Sequence, residues 1–418
     1  MYKRFYYFFE GHELLFKSQY GFRKNHSTIQ AVLEFINDAV DIENRQSTLG
    51  VFLDLSKAFD TIDHNILLQK MEFYGIRGIA HAWIKSYLSN RTQFVQYKNS
   101  SSNTMNVHCG IPQGSILGPL LFIIYINDLP DCLLESHGIL FADVTTVYQS
   151  SKNIKSLYTS MNADLGRLAD WFQSNKLSLN VNKSTCMLIS NSHEPHTAHQ
   201  VLKLENNIIE PKQCVKFLGL YLDNRLSWHE HISVCKSKIC SSTYAINRIK
   251  NFVPKPYMRT LYFTLIYPYL TYGLPLWGST FNVHKKKIIT VQKKIIRIIS
   301  NAKYNDHTEP LFKKACILKL DDLYNVEILK IIYKHAHNQL PEPIAKMFIL
   351  NSEVHERNTR QHADFHIKKC RTTLATQHIA SKGPLIWNAL PVNIKHTQFS
   401  SLKAFVNIIV QTTLNNYS

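Results

Sequence analysis

The sequence changes character near residue 228, and that change limits the folds open to it. Before that point, short β-branched and aromatic runs such as TLGVFLDL (48–55) and GILFAD (138–143) alternate with stretches of helical period. After it, apolar residues recur at helical spacing almost throughout. The pattern predicts an α+β region followed by an all-helical one. No repeat occurs at the periods of solenoids. Charge divides at the same place. Residues 1–230 hold 21 basic and 21 acidic side chains, whereas 231–418 hold 27 and 9. The whole surplus of +18 therefore lies in the C-terminal part. A neutral front and a basic back suit a polyanion grip attached to something else, although a plain solvated basic surface is the alternative. With 45% hydrophobic residues and only 14 Gly and 14 Pro in 418, disordered and collagen-like classes are excluded. The length suggests two or three domains.

Along the chain, Ser27 is a candidate N-cap for a helix carrying Ile29, Val32, Leu33, Ile36, Ala39 and Val40. Residues 64–74 and 79–88 read as helices, 91–97 and 104–110 as a hairpin, and SILGPLLFIIYINDL (115–129) as a buried helix. Two strands, 138–143 and 145–150, surround a tight turn, and an amphipathic helix spans 154–175. Short strands fill 184–223, with Asn206–Asn207 as a turn. Helices then cover 229–251, a stretch from 255, and 285–300. Residues 260–284 lack Asp, Glu, Lys and Arg, but Pro268, Gly273 and Pro275 interrupt them, so a buried helix pair is expected there and no membrane span. The eight Cys form no C-x-x-C, and the N-terminal apolar run is too short for a signal sequence. They read as reduced thiols of an intracellular protein, with nucleus or cytoplasm left open. His229, His231, Cys235 and Cys240 have conceivable zinc spacing, but only 231 and 235 share a helical face, so no structural zinc is expected.

Asp54 and Asp143 each end an apolar strand. A carboxylate in such surroundings is costly unless paired, hydrogen-bonded or bound to metal. Oxygen ligands suit Mg²⁺, and two such ions about 4 Å apart can serve phosphoryl transfer. Each Asp could instead simply cap a strand or turn.

The order of FLDLSKAFDTIDH (52–64), GIPQGSILGPLLFIIYINDL (110–129), FADVTT (141–146), LSLNVNKS (177–184) and KFLGLYLD (216–223) is more specific. It closely resembles the reverse transcriptases of non-LTR (LINE-type, jockey-like) retrotransposons. QYGFRKNHST (19–28), TRQH (359–362) and KGPLIWNALPVNIK (382–395) extend the resemblance over nearly the whole chain. It implies a right-hand polymerase: partial fingers (1–47), palm (48–228), an all-helical thumb (229–310) and a C-terminal helical region (311–418).

The resemblance also implies roles. Asp54 and Asp143 would hold two Mg²⁺ ions, with Mn²⁺ as a substitute, and Lys183 would stand near the leaving pyrophosphate. Phe59 would lie under the sugar of the incoming deoxynucleoside triphosphate, unless it is plain core. Gln113 and Gly114 would meet the templating base pair and the nucleotide, or Gly114 would only cap the next helix. Phe217, Leu218 and Gly219 would hold the DNA primer end, or be ordinary strand core. Arg23 and Lys24 would approach template or triphosphate. Lys285, Lys286, Lys287, Lys293, Lys294 and Arg297 would reach phosphates of the RNA template and DNA primer. Tyr262, Tyr267, Tyr269, Tyr272 and Trp277 read as thumb core.

Two departures from the family pattern carry expectations. The family's F-A-D-D turn reads Phe141-Ala142-Asp143-Val144 here, so one carboxylate is a valine. Weakening one ion is expected to slow catalysis on the order of 10²–10⁴-fold. Asp60, Asp63 and Asp128 have their own places in the motifs and do not obviously substitute. The family also carries more fingers upstream of the position matching Met1. The expectation is an RNA-directed DNA polymerase with impaired activity. The alternative is a catalytically inactive nucleic-acid-binding remnant.

Overall fold

Ser47–Ser56 forms a long central strand, β1, as its run of Val, Phe and Leu predicts. It is buried without a break from Ser47 to Leu53, and its exposure begins at Asp54. A strand covered on both faces reads as a continuous apolar run rather than an alternation. The computed structural model describes residues 1–40, 46–190, 201–205, 207–354, 361–397 and 399–417. Asn206 of the expected turn, and Thr359 and Arg360 of TRQH, lie outside the described residues.

The chain divides into two compact units, Met1–Ala31 with Gln46–Lys212, and Val32–Arg45 with Gln213–Ser418. The first contains helix α1 (Tyr2–Gly11) and the start of α2 (Thr28–Val40), then α3 (His64–Phe73) and α4 (Gly78–Leu88) after β1. The expected hairpin follows: β2 (Arg91–Gln93) pairs with β5 (Met105–Val107), and β3 (Gln96–Tyr97) with β4 (Ser100–Ser101) at its tip. Next come α5 (Gly118–Tyr125), β6 (His137–Phe141), β7 (Val144–Ser151) and α6 (Ile154–Ser174). The unit ends with β8 (Ser178–Leu179), β9 (Thr185–Ile189), the ladder of β10 (Lys203–Leu204) with β11 (Asn207–Ile208), and β12 (Glu210–Pro211).

The main sheet has the order β12-β9-β1-β7-β6, with β8 continuing beside the end of β1. One apolar core gathers Leu49, Val51 and Leu53 of β1 with Leu121, Ile123 and Ile124 of α5 and Leu157, Leu165 and Leu168 of α6. Side chains start several helices: Ser27 Oγ accepts the Gln30 amide at 3.4 Å, Asp63 accepts from the amides of Asn65 and Ile66, and Asn153 from those of Lys155 and Ser156. The expected helix over 115–129 is shorter, because Pro119 has no amide to donate and sits in the first turn. Ser115 Oγ accepts the Gly118 amide at 2.9 Å, and a 3₁₀ turn over Leu129–Cys132 follows the helix.

The second unit opens with a tight hairpin, β13 (Cys214–Phe217) and β14 (Leu220–Asp223). Helices α7 (His229–Ile249), α8 (Lys255–Leu265), α9 (Tyr267–Thr271), α10 (Leu274–Trp277), α11 (Asn282–Ile299), α12 (Glu309–Ala315) and α13 (Leu320–Ala336) follow. The expected helix pair over 260–284 is thus three shorter helices. Pro268 and Pro275 each occupy a first turn, and Gly273 has φ +66° between them. Short helices α14 (Glu342–Ala345), α15 (Asn351–Val354), α16 (Thr373–Gln377), α17 (Ile379–Asn388) and α18 (Val392–His396) lead to α19 (Leu402–Asn415). Helix α7 packs on α11, and α13 packs on α17 and α19. Among the described residues, no helix is long and apolar enough to cross a membrane.

Candidate active site

The register of the central sheet fixes the site. Antiparallel pairing of β1 with β7 runs from Ser47–Ser151 to Asp54–Val144. Val144 is therefore the residue directly across from Asp54, and Asp143 is the turn residue beside it. Directly paired Cα atoms lie about 4.5–5.5 Å apart, and the next residue adds at most about 3.8 Å. The two aspartates thus stand within about 9 Å of each other, Cα to Cα. Lys183 joins them: its Nζ lies 3.3 Å from Asp54 Oδ2, with both side chains in contact with solvent. The Asn180 amide donates to the Asp54 carbonyl at 2.8 Å, which ties the 180–184 turn to the end of β1.

The other nearby carboxylates are engaged elsewhere. Asp60 accepts from Gln113 Nε2 at 2.9 Å. Asp63 caps α3 and pairs with Lys176 at 2.7 Å, and that hydrogen bond holds its carboxyl below the ordinary range. Asp128 pairs with Lys70 at 2.6 Å. Among the described residues, no group of three or more His, Cys, Asp or Glu is placed to hold a metal ion. The donors present, Asp54 and Asp143, fit one hydrated divalent ion completed by water and phosphate oxygens. They do not supply a third carboxylate for a pair of ions.

The Asp143 turn is braced by a strap that the sequence does not announce. Residues 18–20 run along β6: the Leu140 amide donates to Ser18 O at 3.0 Å and the Tyr20 amide to Leu140 O at 2.8 Å. Ala142 occupies the left-handed region at φ +53°. Gly21 presses against it so closely that a Cβ at 21 would lie 2.3 Å from the Ala142 nitrogen. The only sequence signal for this approach is the glycine itself, which is a weak one.

Phe59 is half-buried. Its ring stacks on Phe122 at 4.6 Å and meets the edge of Phe22 at 6.1 Å. Its carbonyl accepts the Ile111 amide at 2.8 Å, and the Gly110 amide donates to Ile62 O at 2.8 Å. The PQG loop is thereby fastened to the chain beyond β1. Gly110 is needed for close approach, since a Cβ there would lie 2.7 Å from Asp60 O. Gly114 has φ +80° with open space around it, so its demand is conformational. A cavity of about 760 Å³ opens beside this loop, lined by Lys57, Asp60, Arg91, His108 and Gln113.

Arg23 is engaged within the first unit. Its side chain is 10% exposed, and it grips Glu10 through two hydrogen bonds of 2.9 and 2.8 Å while donating to Phe16 O at 2.8 Å. It clasps α1 to residues 16–23. Lys24 is exposed, and its amide donates to Tyr6 Oη at 2.8 Å.

Within the second unit, Phe217 is buried against Phe35 of α2, with ring centroids 6.1 Å apart. Leu218 and Gly219 form the turn between β13 and β14, with φ +44° and +84°. Helix α11 buries Ile288, Val291, Gln292, Ile295 and Ile296 and turns Lys286, Lys293 and Lys294 to solvent. Lys287 is half-buried on the same helix. The Lys285 ammonium is likewise engaged, 2.7 Å from the exposed Asp321 carboxylate. Arg297 donates to Asp306 O at 3.0 Å and stacks over Tyr304. Tyr262 and Trp277 are core, as expected, whereas Tyr272 is 38% exposed and bonded to the hairpin. His231 and Cys235 touch at 3.5 Å, where burial pushes the imidazole down to about 4 and the thiol up to about 11. His229 instead faces His284.

Comparison with known proteins gives the family. The model of the reverse transcriptase (RNA-dependent DNA polymerase) family matches residues 2–222. The chain belongs to the reverse transcriptase family. It is 27% identical over 359 residues to the RNA-directed DNA polymerase from mobile element jockey of Drosophila melanogaster, covering 82% of this chain and 39% of that one. It is 28% identical over 307 residues to the probable RNA-directed DNA polymerase from transposon BS of the same species, covering 68% and 33%. The chain thus spans well under half the length of these relatives. A solved telomerase from Candida albicans aligns over 70% of this chain and 55% of its own at 10% identity and a TM-score of 0.41, too low to carry an argument.

Proposed function

We propose that this chain is the polymerase portion of a non-LTR retrotransposon protein, which extends a DNA primer 3′-hydroxyl along an RNA template. The observation that carries the reading is the placement of Asp54, Asp143 and Lys183 at one end of the central sheet. The fingers (1–47) and palm (48–228) would lie mostly in the first unit, and the thumb (229–310) and C-terminal region (311–418) in the second, which also takes in residues 32–45 and the 214–223 hairpin.

Asp54 and Asp143 would hold Mg²⁺, or Mn²⁺ in its place. When bound, the ion supplies charge stabilisation to the attacking and leaving oxygens. Lys183, now paired with Asp54, would bring its ammonium near the departing pyrophosphate. Phe59, stacked on Phe122, would lie under the sugar of a deoxynucleoside triphosphate. Gln113 is held by Asp60, and Gly114 offers an open backbone beside the base pair. Lys57 and Arg91, which line the adjoining cavity, suit phosphate contacts. Lys24 in the fingers, and Lys286, Lys287, Lys293 and Lys294 on α11, remain candidates for template and primer phosphates.

A second reading follows from Val144. With a valine opposite Asp54 and Lys183 leaning on that carboxylate, the chain would bind template–primer without extending it. Primer extension on an RNA template, with Mg²⁺ and then Mn²⁺, separates the two. The polymerase reading expects slow incorporation that Asp54→Asn abolishes. Tight template–primer binding with no incorporation in either metal would establish the second reading instead.

A further inference from the structure

The hairpin that carries Phe217 to Gly219 has a two-residue turn, Leu218–Gly219, with both residues at positive φ. Such turns suit Asn-Gly or Gly-Gly, and a leucine in the left-handed region is strained. A strained residue persists only where its surroundings over-determine it. Tyr272, between α9 and α10, supplies that constraint. Its hydroxyl donates to the Leu218 carbonyl at 2.5 Å. A Cβ on Gly219 would lie 3.2 Å from the same ring, so the ring also covers the turn.

Tyr272 is itself fixed from behind. The indole Nε1 of Trp277, a fully buried residue, donates to the Tyr272 carbonyl at 2.9 Å. The next residue, Gly273, has φ +66° and lies so near Leu220 of β14 that a Cβ would meet its Cδ2 at 2.5 Å. The buried indole, the tyrosine backbone, the phenol and the strained turn thus form one connected clamp. Both sides of it belong to the second unit.

We propose that Tyr272 is a positioning residue for the primer terminus. It holds the Leu218–Gly219 turn in the one shape that can press on the primer 3′ end. This rests on the reading of Phe217–Gly219 as the primer-holding hairpin. It assigns no chemistry to Tyr272, only the geometry of the turn. The hydroxyl, not the ring alone, carries the effect, because the ring packs whether or not the carbonyl is held.

The test uses the full chain with an RNA template and a DNA primer carrying 2-aminopurine at its 3′ terminus or at an internal position. Tyr272→Phe, Tyr272→Ala and Gly219→Val are compared with the unchanged chain. Loss of one uncharged hydrogen bond predicts that seating of the terminal base falls roughly fivefold in Tyr272→Phe. The internal probe, the dissociation constant for template–primer and the thermal midpoint should stay nearly unchanged. Tyr272→Ala should lose more. If Gly219→Val unseats the terminal base and Tyr272→Phe does not, the clamp is refuted while the hairpin reading stands. If neither variant unseats it, the hairpin reading fails and takes the proposal with it. A parallel fall in thermal midpoint and in both probes for Tyr272→Phe would also overturn the proposal, by showing a merely structural bond.

Discussion

The family resemblance implies that Arg23 approaches template or triphosphate, yet its guanidinium is folded onto Glu10 and the Phe16 carbonyl. Sequence cannot show such a pairing, because the partner lies on α1 across an irregular loop. The structure also gives the pair a pH signature. Burial pushes the Glu10 carboxyl up, but the hydrogen bonds and charge of Arg23 outweigh it and hold the carboxyl below its ordinary 4.5. Stability from this pair is therefore present above pH 4.5 and lost as pH falls through the depressed value. Arg23→Gln should cost about 1–2 kcal/mol near neutrality, since it leaves a half-buried carboxylate with Tyr6 but without its charged partner. Urea unfolding across pH should show that difference shrinking on the acid side. A difference that is constant with pH would refute the clasp.

At the scale of elements, the strap over residues 18–21 is the least expected feature of the site. It pairs with the edge of β6 and locks the Asp143 turn through Gly21. Gly21→Ala would place a methyl against the Ala142 backbone, and overpacking of this kind costs about 1–3 kcal/mol. Hydrogen exchange should show it locally: the Leu140 amide, bonded to Ser18 O, should lose protection while amides inside α6 keep theirs. Equal protection at Leu140 in both chains would count against the strap. Strands β1, β6 and β7 are legible in the sequence because β-branched runs and a tight turn mark them. Helix breaks at 266–275 are less so, because apolar content alone does not show where Pro and Gly end a turn. The adjacency of Asp54 and Val144 comes from register, a long-range property; only the motif order points to it. The strap leaves almost no local signal, since its meaning lies in its approach to a residue more than a hundred positions away.

For the molecule as a whole, the basic C-terminal part is more finely divided than its net charge suggests. Lys285 is ion-paired with Asp321, whereas Lys286, Lys293 and Lys294 face solvent on one helix. Removing one lysine from a phosphate should reduce the salt slope of binding by about 1. A triple change of Lys286, Lys293 and Lys294 to Ala should therefore flatten the dependence of template–primer affinity on salt by about 3 in log–log slope. Lys285→Ala should leave that slope unchanged. A titration series in which Lys285→Ala matters as much as the others would contradict the assignment of faces on α11.

The proposed polymerase activity makes one position the sharpest point to test. Val144 lies opposite Asp54, where the family pattern has a carboxylate, and the neighbouring aspartates are already engaged by Gln113, Lys176 and Lys70. The most direct measurement is the single-nucleotide incorporation rate on an RNA template in Mg²⁺, for the chain and for Val144→Asp. Restoring the carboxylate should raise the rate on the order of 10²–10⁴-fold, and adding Asp54→Ala should remove the gain. Equal rates with valine and with aspartate would show that two carboxylates suffice and contradict an impairment rooted at Val144.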